Sequence, residues 1–320
     1  MKAAVIRIGD LALAPFTLMS AVLLKTIRYI GVQRMPVSRR VLRRVGVFPI
    51  RNHYYEPMVD PAHLDIGRLH EPRRLPGIDM NVATQLAILK SFNYADELSR
   101  FPLEGNPAAH TFYYRNGAYG SGDAEFLYSM IRKFRPARMI EIGSGFSTLI
   151  AREAIRANTL SQPGYVCNHV CIEPYEVPWL EEIGVRVIRD CVEHVEESLF
   201  AALEKNDILF VDSSHVIRPQ GDVLKIYQQI VPTLASGVLI HSHDIFTPRD
   251  YPEEWICERV LLWNEQYLLE SFLSFNPDYE IVGAVNYLAH HFQTQLAKKC
   301  PTYAQEVAMR EPGAFWFRRL

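Results

Sequence analysis

The stretch at residues 138–152 (RMIEIGSGFSTLIAR) constrains the fold of this chain more than any other. It predicts a short buried strand over 138–142, a glycine turn over 143–145, and a helix that begins at Ser147 or Thr148. Glycine permits positive φ angles and lets a ligand approach the backbone closely. The free N–H groups of the helix start point at that ligand. The stretch therefore predicts the ligand-binding edge of an α/β sheet.

Two residues in this stretch indicate which ligand it takes. Thr148 stands where the dinucleotide fingerprint Gly-x-Gly-x-x-Gly requires its third glycine. Glu141 lies two residues before the first glycine, where a carboxylate would repel a pyrophosphate but accept a cation or a hydroxyl. The sequence Glu141-Ile-Gly-Ser-Gly145 resembles the first motif of class I S-adenosylmethionine-dependent methyltransferases, which has the form Glu/Asp-x-Gly-x-Gly. A tight strand-to-helix turn in another α/β protein is the alternative.

The resemblance implies a cofactor site made from the first strand, its turn and its helix. We expect S-adenosylmethionine to contact Glu141, Gly143, Gly145 and Ser147. It also implies a Rossmann-like, seven-stranded, mostly parallel sheet with helices on both faces, in which the last strand is antiparallel and lies between strands five and six.

Composition limits the class of protein and its partners. The 320 residues are 48% hydrophobic and 22% charged, as in an ordinary globular protein that holds one large α/β domain and an accessory segment. The formal charge of -2 gives no reason to expect a nucleic-acid partner. The five cysteines are odd in number and form no Cys-x-x-Cys pair, which is typical of a reduced, cytoplasmic protein.

Residues 1–55 combine an apolar run with basic residues. The run at 11–24 (LALAPFTLMSAVLL) is uncharged, and no acid occurs between Asp10 and Glu56. Fourteen residues are too few for a bilayer span, which needs about 18, and no cleavage site follows them. Two interpretations remain. The segment docks as a hydrophobic helix on the body or on a second subunit, giving a homo-oligomer, or it makes peripheral contact with the anionic inner face of a membrane.

The chain divides near residue 108. Residues 1–108 predict an apolar, basic and proline-rich accessory region with helical and irregular parts, and residues 109–320 predict the methyltransferase domain. Within the second part, Asp123 is expected to cap a helix over 124–134. In the family the loop before this helix closes over the cofactor, so the resemblance makes Tyr119 and Ser121 candidate cofactor contacts.

Two later strands end in acidic residues. The run at 165–174 ends in Glu173-Pro174, and an acid at the tip of strand two can bind both hydroxyls of a ribose. Asp190 ends the strand predicted at 185–190, where the family often places a group near the adenine. Glu173 and Asp190 therefore complete the expected cofactor site.

The next two strands end in carboxylates and imidazoles. Asp212 and His215 follow the strand predicted at 208–211, and His241, His243 and Asp244 lie at the end of the strand predicted at 237–245. The carboxyl ends of neighbouring parallel strands are where ligands bind in open α/β sheets. Two carboxylates with imidazoles nearby suit Mg²⁺, which favours oxygen ligands. A zinc site is less favoured, since no thiolate or His-x-x-x-His helix supports it.

Val211-Asp-Ser-Ser-His215 and His241-Ser-His-Asp244 are similar to motifs of the metal-dependent macrolide sugar O-methyltransferases. The resemblance implies that Asp212 and Asp244 hold Mg²⁺ and that His215 acts as general base. His243 departs from the pattern, because those enzymes tend to carry another acid there. The loop at 244–255 is a candidate substrate lid with Tyr251 and Trp255 as walls, and a helix is expected over 253–272.

The sequence therefore predicts S-adenosylmethionine-dependent methylation of a hydroxyl on a sugar or another small polar metabolite, with Mg²⁺ assistance. Three alternatives stay open: an NAD-dependent oxidoreductase, a metal-dependent hydroxylase or hydrolase on the same scaffold, and a membrane-associated or assembly protein with an inactive methyltransferase fold.

Overall fold

The computed structural model describes residues 2–53, 55–175, 177–306 and 311–320 of the chain, without the side chains of residues 2–5 and 62. It separates into two compact units. One contains Met1–Asp65 and Glu254–Leu262, and the other contains Ile66–Glu253 and Trp263–Leu320.

The larger unit contains one seven-stranded sheet. Its strands are β1 (Arg138–Ile142), β2 (Asn168–Ile172), β3 (Arg186–Ile188), β4 (Ile208–Val211), β5 (Leu239–Ser242), β6 (Tyr279–Ala284) and β7 (Phe315–Arg319). The spatial order is β3-β2-β1-β4-β5-β7-β6, and β7 runs antiparallel to both of its neighbours. The other neighbouring strands pair in parallel. The predicted sheet, with its last strand inserted between β5 and β6, is confirmed.

The helices of the chain are α1 (Lys2–Ile30), α2 (Pro36–Val45), α3 (Ile66–Leu69), α4 (Val82–Ser91), α5 (Ala95–Leu98), α6 (Asp123–Phe134), α7 (Phe146–Ser161), α8 (Glu197–Ala201), α9 (Asp222–Lys225), α10 (Glu265–Leu273), α11 (Val285–His291), α12 (Gln293–Ala297) and α13 (Pro301–Glu306). A π-helical turn, Ile226–Ile230, and a short 3₁₀ turn, Val231–Thr233, extend α9.

The sheet has a hydrophobic core on each face, because successive side chains of a strand point to opposite sides. Met139 of β1 and Phe210 of β4 belong to the cluster that contains the buried side of α6 and α7. Ile140 and Leu209 belong to the opposite cluster, which contains side chains of α9 and α10. Burial on both faces explains why these strands are nearly continuous apolar runs.

Three predicted helix features are wrong in detail. Gly122, with φ of 83°, is the N-cap of α6, and Asp123 is its first residue, with a side chain engaged elsewhere. The helix expected over 253–272 is interrupted, since a π-helical turn at Glu254–Glu258 and the helix α10 are separate elements. The sequence also favours an acidic amphipathic helix over 193–204, of which only the short α8 forms.

The compact unit that carries the sheet begins earlier than the domain boundary predicted at residue 109. Gln85 of α4 is fully buried, and its side-chain oxygen accepts a hydrogen bond from the Ala284 backbone N–H at 2.7 Å. Leu89 of the same helix is also buried in the core. Residues 66–108 therefore pack as part of the sheet unit, although their proline content suggests an irregular connection.

The smaller unit contains α1 and α2. The helix α1 extends well beyond the uncharged run at 11–24 on which the sequence estimate rested. Among the described residues, Ile6–Ile30 is the one helical stretch long and apolar enough to cross a membrane by length and composition, with a mean hydropathy of 1.5. The sequence analysis judged the 14-residue run too short to span a bilayer. That judgement was wrong, because the apolar helical stretch is 25 residues long.

Candidate active site

The carboxyl ends of four parallel strands meet at one edge of the sheet. The strand ladder continues into the residues after each strand, since Gly143 N–H donates to Ile172 O at 3.0 Å and Asp212 N–H donates to Ile142 O at 2.8 Å. His243 N–H donates to Val211 O at 2.9 Å in the same way. These bonds fix the glycine turn and the polar residues of β4 and β5 relative to one another.

Gly143 is required by a close approach of two backbones. Its φ is +79°, and a Cβ at this position would lie 2.0 Å from the carbonyl oxygen of Asp212. Gly145 differs, because a Cβ there would meet no heavy atom within 4 Å. The first glycine is therefore needed by the fold itself, whereas the second leaves open space beside the helix start.

Glu141 supports the glycine turn from inside the core. Its side chain is fully buried, and its Oε2 accepts a 2.6 Å hydrogen bond from Thr148 Oγ1. Thr148 Oγ1 in turn accepts the Gly145 N–H at 3.0 Å. His169 Nε2 also lies 3.2 Å from Glu141 Oε2. Glu141 therefore acts on the turn through Thr148, and its predicted contact with a ligand stays a prediction.

Glu173 lies where β2 meets the glycine turn. Its two carboxylate oxygens accept the backbone N–H groups of Ser144 and Tyr175, each at 3.2 Å. Bonds to both oxygens hold the carboxylate plane in one orientation. The turn therefore orients Glu173 at the sheet edge, as a ribose-binding acid requires.

A cavity of about 350 Å³ opens beside Glu173. Its walls include Gly143, Glu173, Cys191, Val192 and Asp212. This volume is at the lower end of the range for small-molecule sites, and the cavity lies at the strand ends where such sites form in α/β sheets. The turn after β1 and the ends of β2 and β4 thus shape one concave site.

The structure places three predicted cofactor contacts away from this cavity wall. Asp190 is exposed and turns toward His194, whose Nδ1 lies 2.8 Å from its Oδ1. Ser147 is buried in the first turn of α7. Tyr119 is buried, with its hydroxyl 3.2 Å from His241 Nε2. Cys191 and Val192 occupy the cavity wall that was expected for Asp190, because the chain turns immediately after β3.

Asp212, His215 and Asp244 form one cluster next to the cavity. His215 Nε2 lies 3.3 Å from Asp212 Oδ1 and 3.8 Å from Asp244 Oδ2. The His215 and Asp244 side chains are buried, but the Asp212 side chain retains 35% of its surface exposed. Asp212 also lines the cavity, so it joins the cavity to the cluster.

Glu265 orients His215, and the sequence analysis did not identify it. Its fully buried carboxylate lies 2.8 Å from His215 Nδ1 and accepts hydrogen bonds from Ser213 Oγ at 3.0 Å and Tyr227 OH at 2.8 Å. Glu265 begins α10, 50 positions after His215. The only sequence signal was an acid on an otherwise apolar helix face, and the expected continuous helix over 253–272 concealed it.

His243 lies among three carboxylates. Its Nδ1 is 3.3 Å from Asp212 Oδ2, and its Nε2 is 3.4 Å from Asp123 Oδ2 and 3.7 Å from Asp244 Oδ1. Asp123 also accepts the backbone N–H groups of Gly313 and Ala314, which hold the start of β7. The residue predicted as a helix cap therefore ties His243 to the last strand.

The carboxylates control the charge on the imidazoles. Burial opposes a charge on His215, but Asp212 and Glu265 outweigh it and raise the pKa of His215 to about 10. The same balance raises the pKa of His243, because burial is outweighed by Asp244 and Asp212. Burial and the nearby His243 lower the pKa of His241, which is therefore neutral.

The cluster fits a divalent cation. With His215 and His243 charged, the four carboxylates of Asp123, Asp212, Asp244 and Glu265 still exceed the imidazoliums by two negative charges. Both ring nitrogens of His243 are buried without a well-formed hydrogen bond among the described residues. Asp212 and Asp244 each offer a carboxylate oxygen within 4.8 Å of the other and of a His215 ring nitrogen. Carboxylate oxygens are the ligands that Mg²⁺ prefers.

Two residues of the cluster have a strained backbone. His215 has a φ of +61° and Asp244 a φ of +55°, a region that residues other than glycine seldom adopt. Such conformations cost free energy and persist where the surroundings impose them. Here the imposed turns direct the two side chains toward Asp212.

The loop after β5 packs against the protein. Tyr251, a predicted wall of a substrate lid, is buried, and its hydroxyl accepts the Gln266 N–H at 3.1 Å. Its ring contacts Phe246 and Tyr267. Tyr251 therefore fixes the loop, and Trp263, whose ring centroid is 4.2 Å from that of His215, covers the imidazole instead.

Comparison with known proteins places the chain among methyltransferases. A family model described as a methyltransferase domain matches residues 140–245. An uncharacterised protein of Archaeoglobus fulgidus is 30% identical over 179 residues, which cover 52% of this chain and 78% of that protein.

Solved structures give weaker similarities. The O-methyltransferase TomG from Streptomyces achromogenes, solved with S-adenosylmethionine, is 14% identical, with 72% of this chain and 89% of TomG covered and a TM-score of 0.36. MycE of the mycinamycin pathway, solved with Mg, S-adenosylhomocysteine and mycinamycin VI, is 14% identical, with 69% and 55% covered and a TM-score of 0.38. Similarity at this level decides neither substrate nor metal.

The family match begins inside β1 and ends just after Asp244, so it spans the glycine turn, Glu173, Asp212 and His215. The antiparallel β7 lies between β5 and β6, as this resemblance predicted. The chain therefore contains a methyltransferase domain, and it resembles the class I, S-adenosylmethionine-dependent methyltransferases.

Proposed function

We propose that the protein transfers a methyl group from S-adenosylmethionine to a hydroxyl of a sugar or another small polar metabolite, with a divalent cation at the acidic cluster. The observation that carries the proposal is the position of Asp212. It is a wall of the cavity beside the glycine turn and a member of the cluster with His215 and Asp244. Cofactor and reacting hydroxyl would therefore meet at one residue.

The cofactor half of the site is assigned to the ends of β1, β2 and β3. Glu173 would accept hydrogen bonds from the ribose hydroxyls, and Gly143 and Gly145 give the cofactor access to the backbone of the turn. Cys191 and Val192 would contact the adenine ring of the cofactor. Thr148 carries the effect of Glu141 to the turn. Contacts of the cofactor with Ser147, Tyr119 and Asp190 stay predictions.

The reacting half is assigned to the ends of β4 and β5. Asp212 and Asp244 would hold Mg²⁺, which when bound lowers the pKa of a coordinated hydroxyl. His215 would accept the hydroxyl proton at Nε2, because Glu265 holds Nδ1. The carboxylates around His215 raise its pKa. A cation bound to them would offset their charge and lower the pKa of His215, so that its neutral form could accept a proton.

The alternatives receive less support. Thr148, in place of the third glycine of a dinucleotide fingerprint, is buried and bonded to Glu141, so the turn lacks the feature that favours a pyrophosphate. Burying the carboxylates around His215 costs stability. A fold without activity would gain nothing in return for that cost.

The first experiment is calorimetric titration with S-adenosylhomocysteine, with and without Mg²⁺. We expect binding that Glu173→Ala weakens at least tenfold and that Glu71→Ala, which removes an exposed carboxylate of the same unit, leaves unchanged. Methyl transfer is then measured by mass spectrometry with sugar and polyol acceptors. Absence of nucleoside binding in every condition would contradict the proposed function, and tight NAD binding in its place would establish the oxidoreductase alternative.

A further inference from the structure

The helix α1 exposes apolar side chains on all its sides. Leu11, Phe16 and Met19 retain 75%, 68% and 71% of their surface exposed, and none of the most apolar 18-residue window is buried. These side chains point in different directions, because each residue of a helix is rotated by about 100° from the last. A helix that is apolar all round belongs in a protein core or in a membrane. Its exposure leaves the membrane as the matching environment.

The dimensions of α1 suit a lipid bilayer. Its 29 residues extend for about 43 Å, whereas a hydrocarbon core is about 30 Å thick. Arg7 and Asp10 lie toward one end of Ile6–Ile30, and Lys25 and Arg28 lie toward the other. Long basic side chains at such positions reach the interface while their stems stay in the apolar region.

Two hydroxyl groups of α1 form hydrogen bonds within the helix. Thr17 Oγ1 donates to the Leu13 carbonyl at 3.1 Å, and Thr26 Oγ1 donates to the Val22 carbonyl at 2.9 Å. Internal bonding of this kind is what the absence of water in a bilayer requires.

A second helix is fixed at the end of α1. Ile27 of α1, Val32 of the connecting turn and Leu42 of α2 form a small buried cluster. Arg28 donates two hydrogen bonds to Glu56 Oε1, at 3.0 and 2.7 Å, and one to Oε2 at 2.8 Å. These contacts are internal to the smaller unit and hold its connecting segments together.

The surface of α2 combines apolar and basic residues. Val37, Val41 and Val45 are exposed and lie four residues apart, on one side of the helix. The basic residues of this helix are Arg39, Arg40, Arg43 and Arg44. No acidic residue occurs between Asp10 and Glu56. An amphipathic basic helix of this kind lies in the plane of an anionic lipid interface.

We propose that α1 crosses a lipid bilayer and that α2 rests on the anionic headgroups at its carboxyl end, so that the protein is a membrane-anchored methyltransferase. The excess of basic residues after α1 over Lys2 and Arg7 in its first two turns places the carboxyl end of α1 on the cytoplasmic side. The sheet unit follows in the chain and lies on the same side. The anchor rests on the smaller unit alone and does not depend on the proposed reaction.

The test of insertion uses the full chain expressed in cells and extracted with alkaline carbonate. We expect the protein to remain in the membrane pellet and to need detergent for release. The double substitution Phe16→Asp/Met19→Asp should move most of the protein to the soluble fraction. Leu160→Asp is the matched control, because Leu160 is an equally exposed apolar residue on α7, and it should stay in the pellet. Cooperative thermal unfolding of the released variant, followed by circular dichroism, reports that its sheet unit is folded.

The test of orientation and lipid charge uses inside-out membrane vesicles and prepared liposomes. We expect protease to cut the sheet unit from inside-out vesicles and to leave it intact in sealed cells. Substitution of Arg39, Arg40, Arg43 and Arg44 by Gln should lower the preference for phosphatidylglycerol over phosphatidylcholine liposomes by tenfold or more. A control with Arg100, Arg135, Lys205 and Lys298 replaced by Gln should leave that preference unchanged.

Several results would overturn the proposal. One is release of the wild-type chain by carbonate. Another is a mature protein from which processing has removed α1. The third is a wild-type chain that is a soluble oligomer, while the Phe16→Asp/Met19→Asp variant is a monomer. The last result would instead assign the exposed face of α1 to contact between copies of the chain.

Discussion

The two halves of the sheet edge are built by different means. At the ends of β1 and β2, backbone groups dominate: Gly143 packs against the Asp212 carbonyl, and Glu173 accepts two backbone N–H groups. At the ends of β4 and β5, ionisable side chains surround one another, with His215 within 4 Å of three carboxylates. Substitutions that change side-chain volume should therefore disturb the first half most, and substitutions that change charge should disturb the second half most. Changes in each half should affect different measurements.

The largest effect is expected where the halves meet. Asp212→Asn keeps the shape of the side chain and removes its charge, so methyl transfer should fall by about 10³-fold, as for loss of a group that stabilises charge in the transition state. Mg²⁺ binding should be lost, whereas affinity for S-adenosylhomocysteine should change little. Rates and calorimetric titrations make the comparison, with Asp96→Asn as an exposed control. Equal losses in rate and cofactor affinity would show that the halves are not separable.

The two glycines of the turn should separate folding from binding. Gly143→Ala places a Cβ against the Asp212 carbonyl at positive φ, so the free energy of unfolding should fall by about 3–5 kcal/mol. Gly145→Ala meets no protein atom, so stability should change by less than about 1 kcal/mol while cofactor affinity falls about tenfold. Urea unfolding and calorimetry measure both quantities. Equal stability losses for the two variants would contradict this distinction.

A buried carboxylate outside both halves should affect stability alone. Burial raises the pKa of Glu125 to about 7, although the N–H groups of Gly122, Thr302 and Tyr303 partly offset it. Between about pH 4.5 and 7 the folded state then binds more protons than the unfolded state. The free energy of unfolding should therefore fall as pH rises through that window, by up to about 3 kcal/mol. Urea unfolding from pH 5 to 8 measures this slope, which Glu125→Gln should remove without changing cofactor affinity.

Glu265 tests whether the reacting half depends on a positioning residue. Glu265→Gln keeps the side-chain shape but weakens its hold on His215 Nδ1, so the rate should fall about 10–100-fold. The pH profile of the rate should shift, and a fall in rate without that shift would indicate a structural role only. Glu71→Gln is the exposed control.

The smallest effect is expected at His243. His243→Glu supplies an acid next to Asp212 and Asp244, so Mg²⁺ affinity should rise by about tenfold and Mg²⁺ should raise the Tm. His243→Gln, which adds no charge, is the control. An unchanged Mg²⁺ affinity would show that residue 243 does not face the bound cation.

The sheet was predictable because its signals are local. Each of these signals, the apolar runs of β1, β4 and β7 and the glycine turn, is contained in a few consecutive residues, and strand periodicity and turn chemistry act over that distance. The boundaries and the continuity of the helices were less predictable. The prediction of one long helix over 253–272 is wrong, because a π-helical turn at Glu254–Glu258 and the helix α10 occupy this range as separate elements.

The candidate site divides in the same way. The sequence by itself determined that Glu173, Asp212, His215 and Asp244 stand at strand ends, because a parallel sheet brings those ends to one edge. It also determined that α1 is apolar and is followed by arginines.

Only the tertiary structure decided which side chains meet. Glu265 reaches His215 from 50 positions away, Asp123 reaches His243 from 120 positions away, and Glu141 turns into the core instead of the cavity. No local pattern encodes such contacts. They arise because buried charges must find partners, and the packing of helices on the sheet selects which partners are within reach.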